Sequence, residues 1–163
     1  EEYLKGLLKA GDEKKLIRLG LPVLDYLLQM KIAEAKKQGI KVQEQYEGGL
    51  PALDVDGITD WCALLGNLWD NALEGCARLK GGSWIRFSMR REGMAVAVKM
   101  ENSCPPGVDA KHPVSGKADR HMHGIGLKNI DHVVNKYGGT VERECRDGIF
   151  VTRIVIILQE QKG

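Results

Sequence analysis

The sequence predicts one domain that combines α-helices with β-strands, and three observations support this prediction. The chain has 163 residues, which is enough for one hydrophobic core without disulfide bonds or a second domain. Apolar residues recur at helical spacing in three segments, each followed by glycine. The other segments alternate between apolar and polar residues around short turns, as strands and hairpins do.

The first part of the chain is predicted to be helical. A short amphipathic segment covers residues 3–10, and a mostly helical stretch continues to about Gln38, where Gly39 ends it in the left-handed conformation. Gly20 and Pro22 predict a kink or a restart. One apolar stripe, expected to pack on a partner helix or on the domain body, consists of Leu24, Leu27, Leu28, Ile32 and Ala35.

A strand, a long helix and a hairpin are predicted next. Residues 40–46 alternate as a strand does. The helix is expected to begin at Ile58 or Thr59 and to run to Leu79, before Gly81 and Gly82. Residues 83–90 and 94–100 alternate on either side of a short turn, which is typical of a β-hairpin.

The C-terminal third combines a long loop, a helix and a second hairpin. Residues 101–123 are polar and irregular, and a loop of about twenty residues inside a compact domain is typical of a lid or a binding loop. A helix is predicted for residues 126–137, followed by the glycine pair at 138–139. Residues 140–145 and 149–158 then predict the second hairpin.

Composition and charge argue weakly against nucleic-acid binding and give no sign of a membrane span. Lysine and arginine number 24 against 22 acidic residues, without the basic stripe that nucleic-acid binding needs. No apolar run reaches the roughly 20 residues that span a bilayer. Because the chain begins with Glu1 instead of methionine, we expect a piece of a longer protein whose membrane part lies outside it.

The cysteines give no sign of a disulfide or a zinc site. They are far apart in the sequence and form no CxxC pair, so we expect reduced thiols in a cytosolic protein. Cys62 and Cys76 are expected to serve as small buried hydrophobic residues.

The helix predicted for residues 58–79 has two different faces. Its apolar face is formed by Leu65, Leu68, Ala72, Cys76 and Leu79. Its polar face is formed by Asn67, Asp70, Asn71, Glu74 and Arg78. An asparagine inside a helix costs about half a kcal/mol relative to alanine, whereas ordinary solvated faces use lysine or glutamate. The polar face is therefore interpreted either as a solvated surface or as a source of oxygen ligands for Mg²⁺.

Residues 123–127 place two glycines at the start of the next predicted helix. Gly124 and Gly126 allow a ligand to approach the backbone, and the free N–H groups of a helix start attract anions. The alternative is a tight turn before an amphipathic helix. A dinucleotide fingerprint would need a third glycine after a strand, and the absence of GxxxxGK[ST] excludes a P-loop.

In this order the motifs resemble the GHKL superfamily of ATP-binding domains, which DNA gyrase, heat-shock chaperones, histidine kinases and mismatch-repair ATPases share. Residues 64–76 look like its N box and residues 124–127 like its second glycine box, while residues 99–107 lie where the first glycine box belongs. The resemblance covers about residues 53–158. It implies an α+β Bergerat fold, which is a two-layer sandwich of a mixed sheet with helices on one face, preceded by a helical segment.

Within that superfamily the chain is most similar to sensor histidine kinases of the peptide-pheromone receptor type, like the accessory-gene-regulator sensors. Residues 24–31, 65–74 and 123–130 carry this likeness. It implies that residues 1–39 are the end of a helical dimerisation region with its linker, and that residues 40–163 are the ATP-binding catalytic domain.

The resemblance implies ATP and Mg²⁺ as ligands and assigns their contacts. Asn71 would hold the Mg²⁺ that bridges the phosphates, and Asn67 would face the triphosphate, so both are the predicted catalytic residues. Asn102 would contact adenine. Lys117, in the lid loop, is either a phosphate contact or a solvated lysine. The contacts implied along the second glycine box are His123, Gly124, Ile125, Gly126 and Leu127.

Three positions depart from the family pattern. Asn102 stands where an aspartate usually accepts a hydrogen bond from the adenine amino group, and an amide oxygen accepts more weakly. Glu74 stands where many histidine kinases have a lysine, and its charge would repel phosphate unless it binds metal or water. Asn67 stands where gyrase-like ATPases have a glutamate base, which asparagine cannot replace.

The sequence therefore predicts the cytoplasmic catalytic part of a sensor histidine kinase, with the phosphoacceptor histidine in a missing upstream helix of a membrane-bound receptor. Its expected partners are ATP, that dimerisation and phosphoacceptor helix, a response regulator and, in the full-length homodimer, a second copy; nucleic acid is not expected. The alternatives are a nucleotide-binding interaction module without transfer activity and an anti-sigma-type serine kinase. A gyrase-like hydrolase is disfavoured because Asn67 is no base.

Overall fold

The computed structural model describes residues 17–108 and 120–159, with the backbone alone for residues 120–124. These described residues form three helices and a five-stranded sheet. The helices are α1 (Pro22–Lys37), α2 (Val55–Ala77) and α3 (Arg120–Lys136); the strands are β1 (Lys41–Glu47), β2 (Trp84–Glu92), β3 (Ala95–Ser103), β4 (Thr140–Arg146) and β5 (Ile149–Ile157).

The sheet is mixed, as expected. Its strand order is β1-β2-β3-β5-β4. The first two strands are parallel because α2 connects them, and every other neighbouring pair is antiparallel. Alternate residues of the three central strands are buried and the intervening ones are largely exposed, so the helices cover one face of the sheet. The predicted α+β architecture is confirmed.

Helix α2 lies at the centre of the core. Trp61 and Trp69 are almost completely buried, and the Trp69 ring packs against Phe87 of β2 with 5.3 Å between the ring centroids. Burying one large apolar side chain contributes roughly 1.5–3 kcal/mol. The two tryptophans therefore fix the rotation of α2, and with it the direction of its polar face.

Helix α1 packs into the same core through the predicted stripe. Leu24, Leu28, Ile32 and Ala35 are buried, and Leu27 is half-buried against them. The restart predicted near Gly20 and Pro22 is the start of this helix, where the Asp25 carboxylate accepts hydrogen bonds from the backbone N–H groups of Leu19 and Gly20. Gly39 follows the helix with a positive φ of 76°, as predicted.

The starts of α2 and α3 differ from the prediction, and α2 ends at Ala77, two residues before the predicted Leu79. Helix α2 begins at Val55, three residues early, because the Asp54 side chain caps it by accepting a hydrogen bond from the Gly57 N–H. Helix α3 begins at Arg120, so the prediction that residues 123–125 form a loop before the helix is wrong. A glycine costs a helix only about 1 kcal/mol, and residues 120–123 contain neither glycine nor proline to stop it.

The remaining predictions have different outcomes. Strand β3 extends three residues beyond the predicted end, to Ser103. Asp147 and Gly148 both have positive φ in the turn between β4 and β5, as a two-residue hairpin turn requires. The helical segment predicted for residues 3–10 lies outside the described residues. Within residues 17–108 and 120–159, no helix has the length and apolar composition to cross a bilayer.

A polar cluster joins the start of α2 to the end of α3. The Tyr137 hydroxyl donates a hydrogen bond of 2.8 Å to Asp60, and Lys136 Nζ lies 2.8 Å from the same carboxylate oxygen. Burial alone would raise the pKa of Asp60, but the hydrogen bonds from Lys136 and Tyr137 outweigh it and lower that pKa. This cluster holds α3 against α2.

We expect the Tyr137→Phe variant to lose about 1 kcal/mol of unfolding free energy at neutral pH, because it removes a hydrogen bond to a carboxylate. Since the pKa of Asp60 is lowered by folding, this contribution is complete above the unfolded value of 3.8 and disappears as the pH falls through the folded value. Urea unfolding at neutral and acidic pH measures it, with exposed Tyr26→Phe as the control. A difference that persists unchanged in acid would contradict this role.

Candidate functional site

The two sequence motifs meet in the structure. A Cβ atom placed on Gly126 of α3 would lie 3.4 Å from Asn67 Oδ1 and 3.5 Å from Asn71 Oδ1. The two amide oxygens of α2 therefore converge on one point of the α3 backbone. Any side chain larger than alanine at residue 126 would fill the space between them.

The hydrogen bonding of Asn67 leaves its oxygen available to a ligand. Its Nδ2 donates to the Ala63 carbonyl oxygen, one helical turn earlier, at 2.6 Å. The amide nitrogen is thereby tied to its own helix, and Oδ1 points toward Gly126. The interpretation of this helix face as a source of oxygen ligands is consistent with that geometry.

The donor set suits Mg²⁺ that also binds phosphate. Mg²⁺ prefers oxygen ligands, keeps several waters and uses only one or two protein groups together with substrate phosphates. Within the described part of the chain, no group of three or more His, Cys, Asp and Glu side chains surrounds a metal position. Asn67 and Asn71 therefore fit a metal that arrives with its phosphates and do not form an all-protein cage.

A cavity continues from Asn71 toward the sheet. It lies between α2 and the inner face of β3 and β5, and Asn71 and Asn102 both reach it. Its walls are formed by Leu68, Asn71, Ala72, Gly75, Arg78, Met100, Asn102, Cys104, Val108, Phe150 and Thr152. The cavity is mostly apolar with a few polar groups, which is typical of a small-molecule site.

Asn102 is positioned by its neighbours on β3 and α2. It is 4 % exposed, and its Nδ2 donates to the Ser103 carbonyl oxygen at 3.1 Å. A Cβ atom on Gly75 would lie only 2.7 Å from that Nδ2. Glycine at residue 75 therefore allows the helix to pass over the Asn102 amide.

Three charged residues in or directly after α2 lie near Asn67 and Asn71 in the sequence, namely Asp70, Glu74 and Arg78. Lys31 of α1 forms an ion pair of 2.6 Å with Asp70, so this carboxylate joins two helices and its negative charge is offset. Glu74 is exposed one turn beyond Asn71. Arg78, which belongs to the predicted polar face, is half-buried in the cavity wall and brings a positive charge there.

Several predicted contacts lie elsewhere or outside the described residues. Lys117 is outside them. His123 and Gly124 belong to the first turns of α3, where only the backbone is described. Ile125 is exposed, and Leu127 is half-buried against the core. Among residues of the second glycine box with described side-chain surroundings, Gly126 is the one placed beside both asparagines.

Thr152 and Gly75 line the cavity but were not among the predicted site residues. Thr152 is 4 % exposed on β5, at an alternating position where Phe150 and Ile154 are also buried. A threonine in that inward row, like Gly75 inside a helix, breaks the local pattern. A polar residue in a buried strand row and a glycine inside a helix are therefore the sequence features that could have pointed to this cavity.

The cysteines are free thiols, as expected, but two of them are neighbours. Cys76 is buried and Cys62 is half-buried. Cys104 Sγ and Cys145 Sγ lie 3.4 Å apart, a contact that their 41-residue separation concealed. Burial raises the pKa of the Cys104 thiol to about 12, and the adjacent Cys145 thiol adds to the rise.

Known proteins share this fold. The GHKL domain family matches residues 57–157. The catalytic domain of histidine kinase ThkA has a TM-score of 0.65 at 19% identity, covering 86% of this chain and 93% of that one. The histidine kinase domain of an Erythrobacter litoralis blue-light activated kinase has a TM-score of 0.64 at 18% sequence identity. The match covers 91% of this chain and 65% of that one. Full-length ShkA in complex with AMPPNP has a TM-score of 0.61 at 17% sequence identity. The match covers 83% of this chain and 29% of that one. No curated protein matches the chain.

Two glycines of α2 provide a matched test of the Asn102 contact. We expect Gly66→Ala to stabilise the chain by about 0.5–1 kcal/mol, because alanine favours the helix and nothing lies within 4 Å of the new Cβ. Gly75→Ala should lose that gain, because its Cβ would displace the buried Asn102 amide. Urea unfolding compares the two variants. Equal stabilisation by the two substitutions would show that the close contact between α2 and the Asn102 amide does not require glycine at residue 75.

Proposed function

The chain belongs to the GHKL domain family, and we propose that it is the ATP-binding catalytic part of a sensor histidine kinase. One observation carries this proposal: Asn67 Oδ1 and Asn71 Oδ1 converge on the Gly126 backbone beside a mostly apolar cavity. This arrangement offers a place for charged phosphates next to a place for a base. The folds of ThkA and ShkA, the latter bound to AMPPNP, support it.

ATP would bind with its base in the cavity and its phosphates between α2 and α3. The Asn102 oxygen would accept a hydrogen bond from the base, while Met100 and Phe150 would contribute apolar contacts. Asn71 would hold Mg²⁺ and Asn67 would face the triphosphate, as the family resemblance implies. When bound, Mg²⁺ supplies positive charge that offsets the charge of the phosphate oxygens.

Phosphoryl transfer would depend on positioning and on charge neutralisation. Asn67 has no basic group and cannot activate water, so the site favours transfer to a protein side chain over hydrolysis. We propose a histidine of an upstream helix as the acceptor. The other resemblance-based contacts, Lys117 and residues 123–127, belong to the same proposal.

The wider context is also a proposal. Residues 1–39 would be the end of a helical dimerisation region with its linker, and residues 40–163 the catalytic domain. The full-length protein would be a homodimeric, membrane-bound receptor of the peptide-pheromone type, with this part in the cytoplasm. A response regulator would then receive the phosphoryl group.

A second candidate function is a nucleotide-binding interaction module without transfer activity. Glu74 favours it, because its carboxylate lies exposed one helical turn beyond Asn71 where many kinases of this type have lysine. Asn102 favours it as well, since its amide oxygen accepts a hydrogen bond more weakly than a carboxylate does.

The first test is metal-dependent nucleotide binding. We expect Asn71→Ala to weaken the binding of a nonhydrolysable ATP analogue at least about tenfold in the presence of Mg²⁺, which is about 1.4 kcal/mol. Calorimetric titration with and without Mg²⁺ measures this loss, and circular dichroism checks the fold. Asn135→Ala, an exposed asparagine on α3, is the matched control. Unchanged affinity in Asn71→Ala would refute the metal assignment.

The second test is transfer to a supplied acceptor. We expect the chain with Mg²⁺ and γ-labelled ATP to label the histidine-bearing helix of its parent protein, and to release little phosphate when that helix is absent. Acid-labile, base-stable labelling detected after electrophoresis identifies phosphohistidine. Nucleotide binding without labelling would favour the interaction module, whereas rapid phosphate release without the acceptor would contradict the role assigned to Asn67.

A further inference from the structure

Two thiols meet at the wall of the cavity. Cys104 directly follows β3, and its backbone N–H donates to the Gly148 carbonyl oxygen at 2.9 Å. Cys145 lies on β4 just before the turn that contains Gly148. This hairpin therefore holds the two side chains together, with 3.4 Å between the sulfur atoms.

The distance is short enough for a bond to form with a small shift. A disulfide bond is about 2.05 Å long, so the sulfur atoms need to approach by about 1.4 Å. Cys145 is half-buried on β4, which is an edge strand, while Cys104 is 5 % exposed. An oxidant from solvent therefore meets Cys145 first, and Cys104 is placed to react with the product.

We propose that Cys104 and Cys145 form a reversible disulfide in response to peroxides, and that this bond changes nucleotide binding. The Cys145 thiol loses its proton, and the thiolate sulfur attacks a peroxide oxygen and breaks the O–O bond. From hydrogen peroxide, the leaving hydroxide takes up that proton, so the products are a sulfenic acid and one water. The Cys104 sulfur then attacks the sulfenic sulfur and expels a second water. Two thiols and one hydrogen peroxide thus give one disulfide and two waters. A dithiol reductant restores the pair.

The change in nucleotide binding rests on the proposed function. Cys104 lines the cavity that also contains Asn71 and Asn102, whereas Cys145 is not part of its walls. Protein interiors are close-packed, so drawing a wall atom by about an ångström alters the shape that a bound base meets. Disulfides of cytosolic proteins are usually transient and redox-sensing, which suits a reversible pair.

The test uses the purified chain with hydrogen peroxide. After remaining thiols are alkylated, digestion and mass spectrometry should find a peptide that joins Cys104 to Cys145 and is lost on reduction with dithiothreitol. Affinity for a nonhydrolysable ATP analogue should change by about threefold or more on oxidation and return on reduction. Cys145→Ser should bind the analogue like the reduced wild type and should no longer respond to peroxide. Cys62→Ser, which removes a thiol elsewhere on α2, should still respond.

Three results would overturn the proposal: no linked peptide, a nucleotide affinity unchanged by the bond, or a peroxide response that persists in Cys145→Ser. The linked peptide is detected without nucleotide. Failure of the reduced chain to bind nucleotide would therefore count against the proposed function, while absence of the linked peptide would count against the disulfide itself.

Discussion

The burial of one face of α2 is the constraint on which the rest of this structure depends. Trp61 and Trp69 are almost fully buried and fix how the helix is rotated on the sheet. Asn67 and Asn71 then face α3 because they lie on the opposite side of the same helix. Hydrophobic burial is non-directional. When the buried residues lie along one face of a helix, however, they set the direction of the polar side chains on the other face.

Two glycines allow backbone to pass close to asparagine side chains. At Gly126 the α3 backbone comes beside both asparagine oxygens, and at Gly75 the helix passes over the Asn102 amide. Charge is arranged around these contacts, since Lys31 pairs with Asp70 while the neighbouring Asn67 and Asn71 side chains are neutral. The proposed site would thus combine close backbone approach with neutral oxygens, and the described residues contain no group of three or more His, Cys, Asp and Glu side chains around a metal position.

Local patterns predicted much of this arrangement. The two faces of α2, the glycine after α1 and the two hairpins are encoded by residues that are near one another in sequence, so periodicity and turn chemistry found them. The start of α3 was missed because a helix tolerates glycine at modest cost. The Cys104–Cys145 contact and the role of Gly75 were missed because they arise from tertiary packing, which periodicity does not report.

The most direct test of the central claim is a crystal structure of the chain with Mg²⁺ and a nonhydrolysable ATP analogue. We expect Mg²⁺ bound by Asn71 Oδ1, phosphates between Asn67 and the Gly126 backbone, and the base in the cavity beside Asn102. A nucleotide bound at another surface, or a metal that Asn71 does not contact, would contradict it.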